Sequence, residues 1–233
     1  KYDSIMIKEY CRKTFLMDKF DNSRIQRFLT EIDPDQKMEV IMGSGLVEGA
    51  AKDLLIGKRF NRGNSIKSFK QLKSKDFFRN LKKLNIRHPH WSLNKRSSKE
   101  WIAKSFDTQG GQKIWNKLKK NFVKNEKIYF QKIISGEHIS VQFFSEKKNI
   151  KILCYCNQYF SPSQNKPFII KALTTTQLSE KVKKNIFTII KKISNFYKLN
   201  GLNSIDLIIN KENDVIVIEI NPRTGLSLNI LIR

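Results

Sequence analysis

Apolar positions recur along this chain with two periods, near two residues in some stretches and near 3.6 in others, and the change of period marks out its elements. Residues 2–7 and 38–42 read as strands, and residues 22–31 between them predict a helix with Phe28 and Leu29 on its apolar face. The second strand runs through Gly43-Ser-Gly45 into a helical stretch, residues 46–55, a strand–turn–helix unit of the α/β kind. That glycine turn is a weak nucleotide signal by itself, because any tight strand-to-helix turn favours glycine. Residues 65–84 read as mostly helical, with Leu72, Phe77, Phe78, Leu81 and Leu84 near helical spacing, and Asn85-Ile-Arg-His-Pro89 ends the segment. A strand at 101–104, a loop at 105–111 and the short stretch 112–115 follow. Residues 128–134, 139–144 and 151–155 are β-prone, and 179–197 is a helix with a lysine-rich outer face. The last elements form a hairpin, 204–209 with 215–220, joined by Asn210-Lys-Glu-Asn-Asp214. There is no internal repeat and no long low-complexity linker.

The hairpin carries the most chemistry. Strict alternation puts Ile216, Ile218 and Ile220 on one face of the second strand and Val217, Glu219 and Asn221 on the other. In the first strand Asp206 and Ile208 share a face, opposite Ile205, Leu207 and Ile209. A turn centred near Glu212 brings Asp206 close to Ile218 and Glu219, so two carboxylates and an amide oxygen converge against a wall of isoleucine. Hard cations such as Mg²⁺ take such oxygens together with substrate phosphates. The competing reading is the exposed polar face of an edge hairpin. Pro222 stops the strand, and Arg223 follows closely enough to face the same cleft, where a guanidinium binds carboxylate or phosphate.

Composition narrows the classes. The length, 233 residues, suits one large or two small domains, and 16 Phe in a chain that is 39% hydrophobic supply a core. No apolar run approaches the roughly 18 residues of a membrane-spanning helix, which argues against an integral membrane protein. Three cysteines are too few and too odd a number for a disulfide-stapled domain, so a reducing, cytoplasmic setting is expected. Cys154 and Cys156 point the same way on a strand, but without a second pair they make no zinc motif, and His88-Pro-His90 reads as surface. The chain opens on Lys1 without a signal-peptide pattern, and its true start is expected to lie upstream. The net charge of +24 invites a nucleic-acid reading. Its distribution tempers that. Residues 51–150 carry a net +18, residues 151–233 a net +7 and residues 1–50 a net −1, and the bases are 35 Lys against 10 Arg. A lysine coat fits solvation at least as well as base recognition, which favours arginine.

Glu219-Ile-Asn-Pro-Arg223 resembles the E-x-N-P-R signature of the ATP-grasp superfamily, and the 13-residue gap from Asp206 to Glu219 is similar to that in D-alanine–D-alanine ligase. Trp101-Ile-Ala-Lys104, followed by Gly110 and Gly111, resembles the family's phosphate-gripping strand and the glycine loop that closes over it. Tyr129-Phe-Gln-Lys-Ile-Ile-Ser-Gly-Glu137 resembles the segment that joins the two halves of the fold. The resemblance covers roughly residues 38–233. It is nearest to ATP-dependent carboligases of methanogens and methylotrophs, distant relatives of biotin carboxylase, in which Gly43-Ser-Gly45 and Gly63-Asn64 are landmarks. Three positions depart from the pattern. Ser105 follows Lys104 where Pro is usual, the family's earlier phosphate lysine falls around Ser74, beside Lys73 and Lys75, and His138 stands where some relatives have Glu. Family chains also run on past the tenth residue after Arg223, so the sequence reads as a fragment.

The resemblance implies an α+β, ATP-grasp fold in which two α+β subdomains, residues 65–133 and 134–233, clasp ATP behind a partial α/β domain, residues 1–64. It implies Mg²⁺ (or Mn²⁺) on Asp206, Glu219 and Asn221, phosphates on Lys104, Gly110 and Gly111, and Arg223 orienting the carboxylate or its acyl phosphate. Gln131 would face the adenine amino group, the backbone of Ile133 and Ile134 the purine edge, and Glu137 the ribose. The activity implied is ATP-dependent joining of a small-molecule carboxylate to an amine, in biosynthesis of a small molecule or cofactor. The competing expectation is a basic nucleic-acid-binding or non-catalytic ATP-binding protein that shares the fold, for which Lys117, Lys119 and Lys120 are the test positions.

Overall fold

The computed structural model describes residues 15, 21–41, 57–94, 99–106, 113–116, 128–147, 149–161 and 167–230. The strand expected at 2–7, the glycine turn at 43–45 with the helix after it, Cys11, Gly110, Gly111, Lys117, Lys119 and Lys120 lie outside the described residues. The chain divides into two compact units, Lys1–Asn61 and Arg62–Arg233.

In the first unit, helix α1 (Asn22–Ile32) opens on Asp21, whose carboxylate accepts from the backbone N–H groups of Ser23 and Arg24. At its other end Arg59 donates to the Leu29 and Asp33 carbonyls and to the Asp33 carboxylate, the last at 2.7 Å. That buried pair spends the helix's last carbonyls on a fixed cation. Strand β1 (Glu39–Val40) runs parallel to β2 (Phe60–Asn61).

The second unit holds two antiparallel sheets. Helices α2 (Ile66–Leu72) and α3 (Asp76–Lys83) precede strands β3 (Trp91–Ser92), β4 (Trp101–Ser105), β5 (Ile114–Trp115) and β6 (Ile128–Lys132), which assemble in the order β3-β6-β4-β5. Strands β7 (Glu137–Glu146), β8 (Asn149–Phe160), β9 (Ile170–Thr175), β10 (Gly201–Ile209) and β11 (Val215–Asn221) form a five-stranded sheet in the order β11-β10-β7-β8-β9. Helix α4 (Glu180–Tyr197), capped by Ser179, lies between β9 and β10 in sequence, and a short 3₁₀ helix, Leu226–Ile230, ends the described chain. Among the described residues, no helix is long and apolar enough to cross a membrane.

One core organises this unit. Ile139, Val141 and Phe143 of β7, Ile205, Leu207 and Ile209 of β10, and Val215, Val217 and Ile220 of β11 pack with Leu72, Phe77, Phe78 and Leu81 of α2 and α3. Val182, Ile186, Ile189, Ile190 and Ile193 of α4 complete it. The opposite face of the sheet, with His138, Ser140, Gln142, Ser204, Asp206, Cys154, Cys156 and Gln158, is polar.

Three expectations are corrected. The helix expected over 65–84 is two helices, because Ser74 turns its hydroxyl on the backbone: it donates to the Gln71 carbonyl (2.8 Å) and accepts from the Asp76 N–H. Val217 does not share a face with Glu219. A β-bulge between Asp206 and Leu207 pairs Asp206 with Glu219 but Leu207 with Val217, so the second strand gains a residue at Ile218 and Val217 turns into the core. The strand expected over 128–134 stops at Lys132, while β8 runs on to Phe160 and pairs with β9, an edge strand whose mostly exposed residues give little apolar pattern.

Candidate active site

The bulge sets the site. It keeps Asp206 and Glu219 directly opposed across β10–β11, two residues before the strand ends at Asn221. Asp206 is held by two amides: Gln158 Nε2 donates to Oδ1 (3.1 Å) and Asn221 Nδ2 to Oδ2 (3.4 Å). Burial pushes the Asp206 carboxyl up to about 6, and repulsion from Glu219 adds to that, against a hydrogen bond from Ser140 and the pull of Lys73 and Lys104. Burial acts in the same upward direction on Glu219, yet Lys73, Lys104 and Arg223 outweigh it and hold that carboxyl below its ordinary range. Two neighbouring acids are thus pushed apart, one kept ionised by cations and one kept protonatable.

The cations come from three places. Lys73, at the break between α2 and α3, donates to Glu219 and to Asn221 Oδ1 (3.1 Å), with its side chain 8% exposed. Lys104, on β4, is buried; its Nζ donates to Gln131 Oε1 (3.3 Å) and lies 6.0 Å from the centre of the Tyr129 ring. Burial lowers its pKa; attraction to Glu219 and Asp206 opposes that, and repulsion from Lys73 adds to it. Arg223 is buried, donates to the Thr224 carbonyl (3.0 Å) and acts electrostatically on Glu219. Three cations around two carboxylates leave a net positive charge in a sparsely hydrated setting, an arrangement suited to a polyanion.

The turn that carries Arg223 is fixed from both sides. Asn64 donates to the Pro222 carbonyl (3.0 Å) and to Asn203 Oδ1 (2.8 Å), and accepts from the Asn200 N–H (2.9 Å). Fully buried Gln142 accepts from the Gly225 N–H (3.0 Å) and the Ser227 hydroxyl, and donates to the Asn203 carbonyl.

The structure therefore brings together Asp206, Glu219, Asn221, Arg223 and Lys104, with Gln131 beside Lys104. Gln131 Nε2 is buried with no hydrogen-bond partner, which sets it apart from the satisfied amides around Asp206. Among the described residues no three His, Cys, Asp or Glu side chains form a metal cluster. Two carboxylates and an amide oxygen, with phosphate completing the shell, instead match the chemistry of Mg²⁺. Of the resemblance's remaining residues, Ile133, Ile134 and Glu137 lie in the connection from β6 and at the start of β7. The Ile133 N–H is taken by the Glu100 carbonyl (2.8 Å), and Ile134 lies half-buried in the connection after β6. Glu137 is exposed at the start of β7 on the face opposite Asp206, whereas His138 is on the Asp206 side, against Phe160 and Phe168. Lys73 and Gln158 are the site residues that pattern alone did not single out. One is hidden among 35 lysines, and the other lies on a stretch of β8 whose polar side chains masked the strand.

The comparisons agree with this architecture. An ATP-grasp domain matches residues 73–227, well over half of the chain. No curated protein matches the sequence. Among solved structures, carboxyaminoimidazole ribonucleotide synthase from Aspergillus clavatus, complexed with ATP, superposes with a TM-score of 0.69 at 12% identity, covering 97% of this chain and 63% of that one. The biotin carboxylase domain of Hydrogenobacter thermophilus 2-oxoglutarate carboxylase, solved with MgADP, ADP and bicarbonate, gives 0.67 at 14% identity over 88% of this chain and 52% of that one. D-alanine–D-alanine ligase from Coxiella burnetii gives 0.61 at 18% over 78% and 57%. The chain thus spans less than two thirds of each of these proteins, and at such identities the likeness is one of fold. The matched domain, the two antiparallel sheets and the acids at the end of the last hairpin lead to one assignment: the chain belongs to the ATP-grasp family.

Proposed function

We propose that this chain carries the nucleotide site of an ATP-dependent carboxylate–amine ligase. The observation that carries the reading is the opposition of Asp206 and Glu219 beside Asn221, ringed by Lys73, Lys104 and Arg223. Asp206, Glu219 and Asn221 would hold Mg²⁺ (or Mn²⁺), which would supply positive charge against the ATP phosphates. Lys104 binds phosphate. Gln131 offers its unpartnered amide to the base, and the resemblance would assign Gly110 and Gly111 to phosphate binding. A substrate carboxylate oxygen attacks the γ-phosphorus, ADP leaves, and an acyl phosphate forms. An amine then attacks the acyl carbon, phosphate leaves, and an amide results. Arg223 orients the carboxylate and stabilises charge on the acyl phosphate. No side-chain nucleophile is needed; positioning and electrostatics supply the rate. The known ligands of the structural neighbours, ATP in one and MgADP with bicarbonate in another, support this reading. Its finer form is a cytoplasmic biosynthetic enzyme akin to the carboligases of methanogens and methylotrophs, making a small molecule or cofactor.

The test is Glu219→Ala, assayed by Mg-ATP binding and by phosphate release in a screen of acid and amine pairs. The expected result is loss of Mg-ATP affinity of about 100-fold, the scale of a removed buried charge partner. Unchanged affinity would sink the proposal.

A further inference from the structure

Lys73 touches the oxygens that a metal would need. Its ammonium donates to Glu219 and, at 3.1 Å, to Asn221 Oδ1, two of the three oxygen-bearing side chains assigned above to the cation. The resemblance puts a phosphate lysine near this position; its seat on the metal donors is a feature of this chain's structure. Lys73 is almost enclosed and Glu219 is 21% exposed, so solvent screens their attraction little. Mg²⁺ binds carboxylate oxygen at about 2.1 Å and demands near-octahedral geometry. An ammonium bonded to the same carboxylate and the same amide oxygen blocks that geometry and repels the ion.

Among the described residues, the other two cations near Glu219 have bonds elsewhere. Lys104 is turned to Gln131, Arg223 donates to the Thr224 carbonyl, and Asp206 is satisfied by the amides of Gln158 and Asn221. The backbone at Lys73 is pinned between two helices by the bonds of Ser74, while the lysine carries its charge on a four-carbon stem that can swing. A nucleotide polyphosphate offers the ammonium several anionic oxygens in place of one carboxylate, and moving there releases Glu219 and Asn221.

We propose that Lys73 is an internal counter-ion that keeps divalent metal off Glu219 and Asn221 until a nucleotide polyphosphate draws it away, so that metal enters with the nucleotide and not ahead of it. This rests on the assignment of those two residues to the metal. Lys73 is a positioning residue here: it acts on when the metal donors become accessible.

The experiment uses Mn²⁺ as an EPR-visible probe on wild type, Lys73→Met and Lys73→Arg, with and without a non-hydrolysable ATP analogue, and thermal melting alongside. Wild type and Lys73→Arg should bind Mn²⁺ weakly alone and tightly with the analogue. Lys73→Met should bind Mn²⁺ alone about tenfold more tightly than wild type, or better, because the competing charge is gone. Mn²⁺ alone should raise the melting temperature of Lys73→Met and leave that of wild type unmoved. Equal affinity for Mn²⁺ alone in wild type and Lys73→Met, with normal recruitment by the analogue, overturns the counter-ion and leaves the metal site standing. Should Lys73→Met not fold, wild type alone decides: tight Mn²⁺ binding without nucleotide overturns the proposal, and weak binding strengthened by the analogue supports it. No Mn²⁺ binding in any protein, even with the analogue, overturns the metal assignment itself.

Discussion

The two faces of the five-stranded sheet are built by opposite rules. On one, Ile139, Val141, Phe143, Ile205, Leu207, Val217 and Ile220 are essentially sealed against three helices, and each contributes in proportion to the apolar area it removes from water. On the other, Asp206, Glu219, Gln142, Gln158 and Asn221 sit partly or wholly out of water and must be matched group by group. Burying charge costs free energy even when it is paired. The polar face is therefore the weaker source of stability, and its order leans on the apolar face of the same strands. The bulge at Asp206/Leu207 is the joint between the two rules: without the extra residue, Glu219 and Val217 would compete for one face.

The widest test of this division is Phe143→Ala. Phe143 is fully buried in the core, and its loss should cost about 3–5 kcal/mol, enough to threaten a marginally stable domain. Chemical denaturation checks it. Where the variant remains folded at low temperature, nucleotide affinity should be near that of wild type, since the lost ring belongs to the core and not to the polar face that carries Asp206. A large loss of affinity without loss of stability would erase the distinction between the faces.

Much of this division is legible in the sequence. The alternation in β10, the 13 residues from Asp206 to Glu219 and the Pro222 stop point to paired acids at a strand end, and the structure pairs those two residues directly. The core helix at 179–197 is plain from its spacing and its Ser179 cap. What alternation cannot show is a bulge, because the period-two rule assumes none, and so Val217 is misassigned. Lys73 was ambiguous for another reason. Its role depends on a helix break made by one serine hydroxyl and on a contact 146 residues away in sequence, and neither leaves a local pattern. The extent of β8 and the existence of β9 follow from pairing and not from apolar periodicity.

A middle-sized test acts on both faces at once. Gly136 enters β7 with φ +153°, and a Cβ there would lie 2.4 Å from the Ile209 carbonyl oxygen and 2.6 Å from Ile208 Cγ2. Its lack of a side chain lets β7 close on β10 with Glu137 opposite Ile209, the register that puts Ser140 beside Asp206. Gly136→Ala should cost about 1–3 kcal/mol in denaturant unfolding. Unlike Phe143→Ala, it should also weaken Mg-ATP binding. Full retention of both properties would show that the register is held elsewhere.

The pH dependence is the test most specific to the polar face. Asp206 titrates near 6 in the folded chain against 3.8 ordinarily, so between those values the native state holds more protons than the unfolded chain. Stability then falls as pH rises from about 4 to 6, and the whole penalty is present above 6. Glu219 runs the other way: its lowered value adds stability above its ordinary pKa, and that is lost as pH falls through the folded value. The two slopes oppose each other, so a single wild-type curve hides both. Subtracting the Asp206→Asn curve from the wild-type curve isolates the first, which should show a fall confined to pH 4–6 and a plateau above it. Repeating the subtraction with saturating Mg-ATP should flatten the fall or reverse its sign, because a metal ion on Asp206 favours the ionised carboxylate. A difference curve that rises through pH 4–6 without ligand would mean that Asp206 is stabilised as an anion by the protein itself. In that case both acids of the polar face, and not Glu219 alone, would add to stability as anions.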